Sequence, residues 1–256
     1  MRHPIAATFV ALVAALPLTA AAQQQISGSW SLTSIPNSQT VRLELRTENP
    51  SGGYHDQSSE DVSLRDLHLT QTQLQSSGGR AAFALDREAG TVSFEGWLQQ
   101  GQGGGRFTFE PSSQYIGAMQ QRGYTIDEPR KVLTAALLDV STAFVDQMNA
   151  AGVGHLTYNQ LIPFRALRID VPYVRQMRST FGDVDAQQLI PLRALNVDGS
   201  YLQEMASVGY AHLEARQAIE LRALGIDADF VRRLQAHGFH NLTVEKLVQA
   251  KALGVL

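Results

Sequence analysis

A five-fold repeat governs what this chain can fold into. Tyr115, Phe144, Tyr173, Tyr201 and Phe230 follow one another at spacings of 29, 29, 28 and 29 residues. One residue on stand Ile116, Val145, Val174, Leu202 and Val231, and four on stand Met119, Met148, Met177, Met205 and Leu234. Eight on come Gly123, Gly152, Gly209 and Gly238; the third unit carries Phe181-Gly182, its glycine one place late. The second half of each unit recurs as well. Leu161-Ile162-Pro163-Phe164-Arg165-Ala166-Leu167 matches Leu189 to Leu195, Ala218 to Leu224 and Val248 to Leu253, and the first unit is the most degenerate. Self-similarity at this period marks stacked supersecondary units.

Each unit reads as two short helices. Ser141, Asp170, Asp198 and Asp227 stand just before the aromatic position, where a short side-chain oxygen accepts an orphan backbone N–H. Apolar residues at i, i+1 and i+4 give one helical face, and glycine ends that helix. Thr157, Asp185 and Thr243 are placed to cap a second helix, which Pro163 and Pro191 are expected to kink or delay. A pair this short cannot bury its own face, so the units must stack.

Residues 26–110 follow a different period. Val41 to Leu45, Phe83 to Leu85, Val92 to Phe94 and Phe107 to Phe109 alternate apolar and polar, as half-buried strands do. Asp86 to Gly90 reads as a hairpin with Gly90 at positive φ, Asn49 to Gly53 as a loop, and Gly101 to Gly105 as a flexible hairpin loop. That last run does not meet the phosphate-loop pattern, because Arg106 takes the final glycine position and a strand follows. The expected fold is α+β. A small antiparallel β domain over 26–110, a sandwich or open barrel, precedes an α-helical repeat array over 115–256 of five two-helix units of about 29 residues.

The first 22 residues read as an address. Met1-Arg2-His3, the apolar run from Ile5 to Leu18 and Ala20-Ala21-Ala22 have the order of a cleaved secretory signal peptide. With 21 Lys+Arg, of which three are lysine, the composition suits a GC-rich bacterial gene, and the expected place is the periplasm or the medium. The absence of cysteine excludes disulfides and thiolate chemistry. The net charge of −3, with residues 114–256 balanced, excludes a global basic field for nucleic acid.

Few residues suggest a site. Arg165, Arg193 and Arg222 share one repeat position, with Lys251 in the fifth unit. They would form either a solvent-facing ladder for an anionic partner or ion pairs with Asp170, Asp198 and Asp227. Gly28-Ser29-Trp30 resembles the Gly-x-Trp opening of lipocalin-type barrels, so any ligand cavity is expected in the β domain near Trp30 or Trp97. His212, Glu214, His237 and His240 lack metal-site spacing, and no catalytic signature appears; no metal and no cofactor are expected.

The segment Phe83 to Phe109, with Phe94-Glu95-Gly96-Trp97 and Gly105-Arg106-Phe107-Thr108-Phe109, carries a resemblance together with repeats of the type Tyr173-Val174-x-x-Met177 followed by Leu192-Arg193-Ala194-Leu195. Over roughly 80–256 it resembles the exported β-segment plus helical-repeat region of some BlaR1/MecR1-like membrane metallopeptidases (peptidase family M56) and of related stand-alone secreted proteins. The peptidase part has no counterpart here, so the resemblance implies sensing or docking and not proteolysis. The resulting expectation is an exported, non-enzymatic protein–protein interaction or sensing module. Its expected partner is an unidentified protein such as a membrane or periplasmic regulator, without nucleic acid and without stable membrane insertion after signal cleavage. The alternatives are small-molecule or cell-wall ligand binding in the β domain, and an enzyme whose site sequence motifs do not reveal.

Overall fold

The computed structural model describes residues 25–48 and 54–255; the expected signal peptide over residues 1–22 and the expected loop over 49–53 lie outside them. Six strands come first: β1 (Ile26–Ser34), β2 (Thr40–Glu48), β3 (Tyr54–Ser63), β4 (Gly79–Arg87), β5 (Gly90–Gln99) and β6 (Gln102–Pro111). They form one antiparallel sheet in the order β3-β2-β1-β6-β5-β4. A single sheet with two edges replaces the two stacked layers of a sandwich. One face of every fully described strand is apolar and buried: Trp30 and Leu32, Val41, Leu43 and Leu45, Phe83 and Leu85, Val92 and Phe94, Phe107 and Phe109. The short α1 (Gln71–Leu74) closes the β3–β4 connection with buried Leu64, Leu67 and Leu74.

The sheet is sharply curled, and glycine is the reason. Trp30 on β1 and Phe83 on β4 stand three strands apart, which in a flat sheet is about 14 Å. Their ring centroids are 5.1 Å apart. The strands between them carry Gly96, paired with Gly105, and Gly103. A Cβ on Gly105 would stand 2.0 Å from the Glu95 carbonyl oxygen, and one on Gly103 would meet Trp30 at 3.1 Å. Residues 103–105 are therefore ladder residues of β6 and not a flexible loop. The β5–β6 turn is only Gln100-Gly101, both at positive φ, which matches the right-handed twist of the strands it joins. Gly90 has φ 149° as expected.

Ten helices follow, in five pairs: α2 (Ser113–Gln121) with α3 (Pro129–Leu138), α4 (Thr142–Ala150) with α5 (Tyr158–Ala166), α6 (Val171–Phe181) with α7 (Ala186–Ala194), α8 (Gly199–Ser207) with α9 (Ala215–Ala223), and α10 (Ala228–Ala236) with α11 (Val244–Ala252). Ser141, Asp170, Asp198 and Asp227 accept the N–H of Phe144, Tyr173, Tyr201 and Phe230 at 2.8–3.1 Å. The third unit differs because α6 has 11 residues where the other first helices have 9, which moves its glycine on. Pro163 and Pro191 lie inside α5 and α7, yet both helices start at the expected caps; the prolines do not delay them. Second helices stack on second helices, α3 on α5 through to α9 on α11, while α2 meets α4 and α8 meets α10. The first unit packs on the β domain through α3, which touches β4, β5 and β6.

Candidate functional site

The repeat cations are structural fasteners. Each sits in the last turn of a second helix, and the three arginines reach back to the preceding unit. Arg193 Nε donates to the Leu167 carbonyl and Arg222 Nε to the Leu195 carbonyl, each at 3.1 Å; Arg165 Nε donates to Leu138 and Asp139 carbonyls at 2.9 Å. These oxygens belong to the C-terminal turn of the preceding second helix, where carbonyls lack intrahelical donors and the dipole favours a cation. The guanidinium also covers the aromatic ring of its own unit: Arg165 over Phe144, Arg193 over Tyr173, Arg222 over Tyr201. Lys251 covers Phe230 with its ammonium. Neither expected arrangement forms. The arginines are no solvent ladder, and Asp170, Asp198 and Asp227 act as helix caps and not as their partners. The signal for this was present as a constant offset of 20 or 21 residues from aromatic to cation.

The two tryptophans do not share a cavity. Trp30 is buried, packs edge-on against Phe83 and Phe94, and donates its indole N–H to the Glu95 carbonyl at 3.1 Å. Phe83 and Phe94 stack at 4.8 Å, so aromatic side chains fill the space where a ligand was expected. Trp97 stands on the opposite face of the sheet, 48% exposed. The reason is the period-two alternation of β5, which buries Phe94 and Leu98 and turns Trp97 out.

An opening lies at the junction of the two domains. A cleft of ≈ 730 Å³ is lined by Ser59 to Ser63 of β3, by Leu137 to Asp139 at the end of α3, by Phe144 and Met148 of α4, and by Arg165, Ala166 and Arg168 to Asp170. This volume falls within the range of ligand clefts, about 300–1,000 Å³. Its walls are tied by charge. Arg87 donates to Asp66 at 2.7 Å and lies 3.7 Å from Asp139, which accepts from Arg165 at 2.6 Å. The Arg87 guanidinium holds the Asp66 carboxyl below its ordinary range. Next to this network the β4–β5 hairpin caps the array from outside: Glu88 accepts the Thr142 N–H at 2.8 Å and its hydroxyl at 2.6 Å.

Glu60 stands outside this network. It pairs across the sheet with Leu43, whose side chain is on the buried face, so Glu60 points inward from β3. Burial pushes its carboxyl above the ordinary range, the neighbouring Asp61 adds to the rise, and among the described residues no cation offsets it. Asp61 is engaged on the other face by both nitrogens of the Arg42 fork, at 2.9 and 3.2 Å. Sequence reading passed over Glu60, Asp66, Arg87 and Asp139, because their grouping depends on how the sheet meets the array.

Among the described residues no group of three or more His, Asp or Glu is arranged to hold a metal, and His212, Glu214, His237 and His240 do not converge into one. No helix among them is long and apolar enough to cross a membrane. No family model matches the chain, and neither a curated protein nor a solved structure does.

Proposed function

We propose that the protein is an exported, non-enzymatic recognition module that holds a segment of another protein in the junction cleft. The observation carrying this reading is the cleft itself, built jointly by the edge of the β sheet and the first two helical units. Two charges that no ion pair engages among the described residues stand on its opposite walls, Glu60 on β3 and Arg168 on the array. The repeat cations, occupied internally, leave no charged ladder to compete with it. Export rests on the order of residues 1–22, and a sensing role is in keeping with the resemblance to the exported region of BlaR1/MecR1-like proteins.

The test is capture of partners from a cell-envelope extract by the immobilised protein and by a Glu60→Arg, Arg168→Glu double variant. A partner retained by the native cleft and by Trp97→Ala, but lost from the double variant, supports the reading. A partner set unchanged by the double variant overturns it.

A further inference from the structure

We infer that β3 is a strand-addition edge, which takes an extended peptide carrying lysine or arginine opposite Glu60; this rests on the junction cleft being the binding site. Among the described residues β3 stands at an end of the sheet order and pairs only with β2. The direction of its backbone groups follows from one bond. Leu64 N–H donates to the Gln39 carbonyl at 2.8 Å, just beyond the Thr40–Ser63 pair. Residues alternate in an antiparallel ladder, so Val62 and Glu60 turn their N–H and C=O toward β2, and Ser59 and Asp61 turn theirs outward. The cleft lies on that outward side. Glu60 and Val62 face inward while Ser59 and Asp61 face the other side, yet all four line it, which places the opening along the strand's edge.

A peptide added antiparallel would exchange paired hydrogen bonds with Ser59 and with Asp61. Its residue opposite Glu60 would then fall at a non-hydrogen-bonded position, where Cα atoms approach to about 4.5 Å and side chains lie closest. That residue shares the inward face with Glu60. Among the described residues no cation pairs with this carboxylate, so a lysine or arginine there answers a charge left uncompensated. The adjoining acids are already engaged: Arg42 holds Asp61, and Arg130 donates to Asp56 at 2.6 Å. Glu60 therefore sets the preference. Inward-pointing charges also guard sheet edges against unwanted pairing. A guard and a selector differ in what they admit, and the experiment separates them.

The probes are fluorescein-labelled pools of random eight-residue peptides, one with a central lysine or arginine and one with a central glutamate. Polarisation with the full protein is expected to show the basic pool binding roughly tenfold more tightly, the combined effect of an attraction gained and a repulsion avoided. Amide exchange at Ser59 and Asp61 is expected to slow in the presence of the basic pool. Glu60→Arg should reverse the preference between pools. Ser59→Pro, which removes an outward N–H at a position where an edge strand tolerates proline, should weaken both. Binding of neither pool overturns the inference and leaves Glu60 a guard. Binding with protection on the α5 side and none on β3 also overturns it, while leaving the cleft as the binding site.

Discussion

The guanidinium carbon of Arg193 lies 4.8 Å from the centroid of the Tyr173 ring, while its Nε donates to the Leu167 carbonyl of the unit before. One side chain thus joins the two helices of its own unit and fastens that unit to its neighbour. Arg165 and Arg222 repeat the arrangement. Truncation of such a residue exposes a helix C-terminus and an aromatic face together. Arg193→Ala is expected to lower stability by about 1–2 kcal/mol. Arg193→Lys keeps the cation over the ring, as Lys251 does over Phe230, and should lose about half as much. Urea midpoints followed by helical circular dichroism check this. Coincident midpoints for native protein and Arg193→Ala would show a merely solvated arginine.

Alkaline stability follows from the same column. The hydroxyls of Tyr173 and Tyr201 donate to the carbonyls of Val197 and Ile226, in the turns that follow α7 and α9, at 3.3 and 3.1 Å. Burial pushes both phenols up to about 12. An unfolded tyrosine ionises near 10. The folded value is the higher one, so this contribution is whole below about pH 10 and is lost as pH rises through about 12. A Tyr173→Phe, Tyr201→Phe pair, mimicking Phe144 and Phe230 in the same column, should cost about 2 kcal/mol or less at neutral pH. Its loss of stability between pH 10 and 12 should be shallower than that of the native chain. Parallel pH profiles for the two proteins would refute the assignment.

Glu88 couples the domains. Its carboxylate takes both the N–H and the hydroxyl of Thr142 at the first turn of α4, where negative charge meets the positive end of the helix. Glu88→Ala is expected to cost about 1 kcal/mol. Hydrogen exchange should quicken at Thr142 and leave the β1–β6 ladder unchanged. Uniform quickening throughout the sheet would instead mean that Glu88 supports the β domain itself.

The glycines of β6 are not equivalent. A Cβ on Gly105 would clash with the Glu95 carbonyl oxygen at 2.0 Å and with the Gly96 Cα at 2.7 Å, both backbone, whereas one on Gly104 finds its nearest neighbour at 3.4 Å. Gly105→Ala should lose about 3 kcal/mol or more, and Gly104→Ala about 1 kcal/mol or less. Thermal unfolding, read through the environment of buried Trp30, distinguishes them; equal losses would count against the close approach of β5 and β6.

Local features were legible residue by residue. Asp170, Asp198 and Asp227 were readable as caps because a cap needs only its own next three residues. The face of β5 that buries Phe94 and exposes Trp97 follows from alternation alone, although the expectation of a cavity overrode it. Gly103 to Gly105 were misleading for the converse reason. Glycine in a run usually marks a loop, and here its missing side chains make room for an indole from another strand. The candidate site was not legible, since Glu60 lies on one wall, Arg168 on another, and about a hundred residues separate them.

The sequence by itself determined the two-helix unit, its five-fold recurrence, the caps and the strand alternation. Each depends on neighbours a few residues away, where hydrogen bonding and side-chain period leave little choice. Only the tertiary structure decided that the sheet curls until Trp30 meets Phe83, that Arg193 serves the unit before its own, and that β3 remains an edge facing the array. These outcomes turn on which distant surfaces pack together, and a periodic sequence offers several equivalent partners for each until strand order and stacking direction select one.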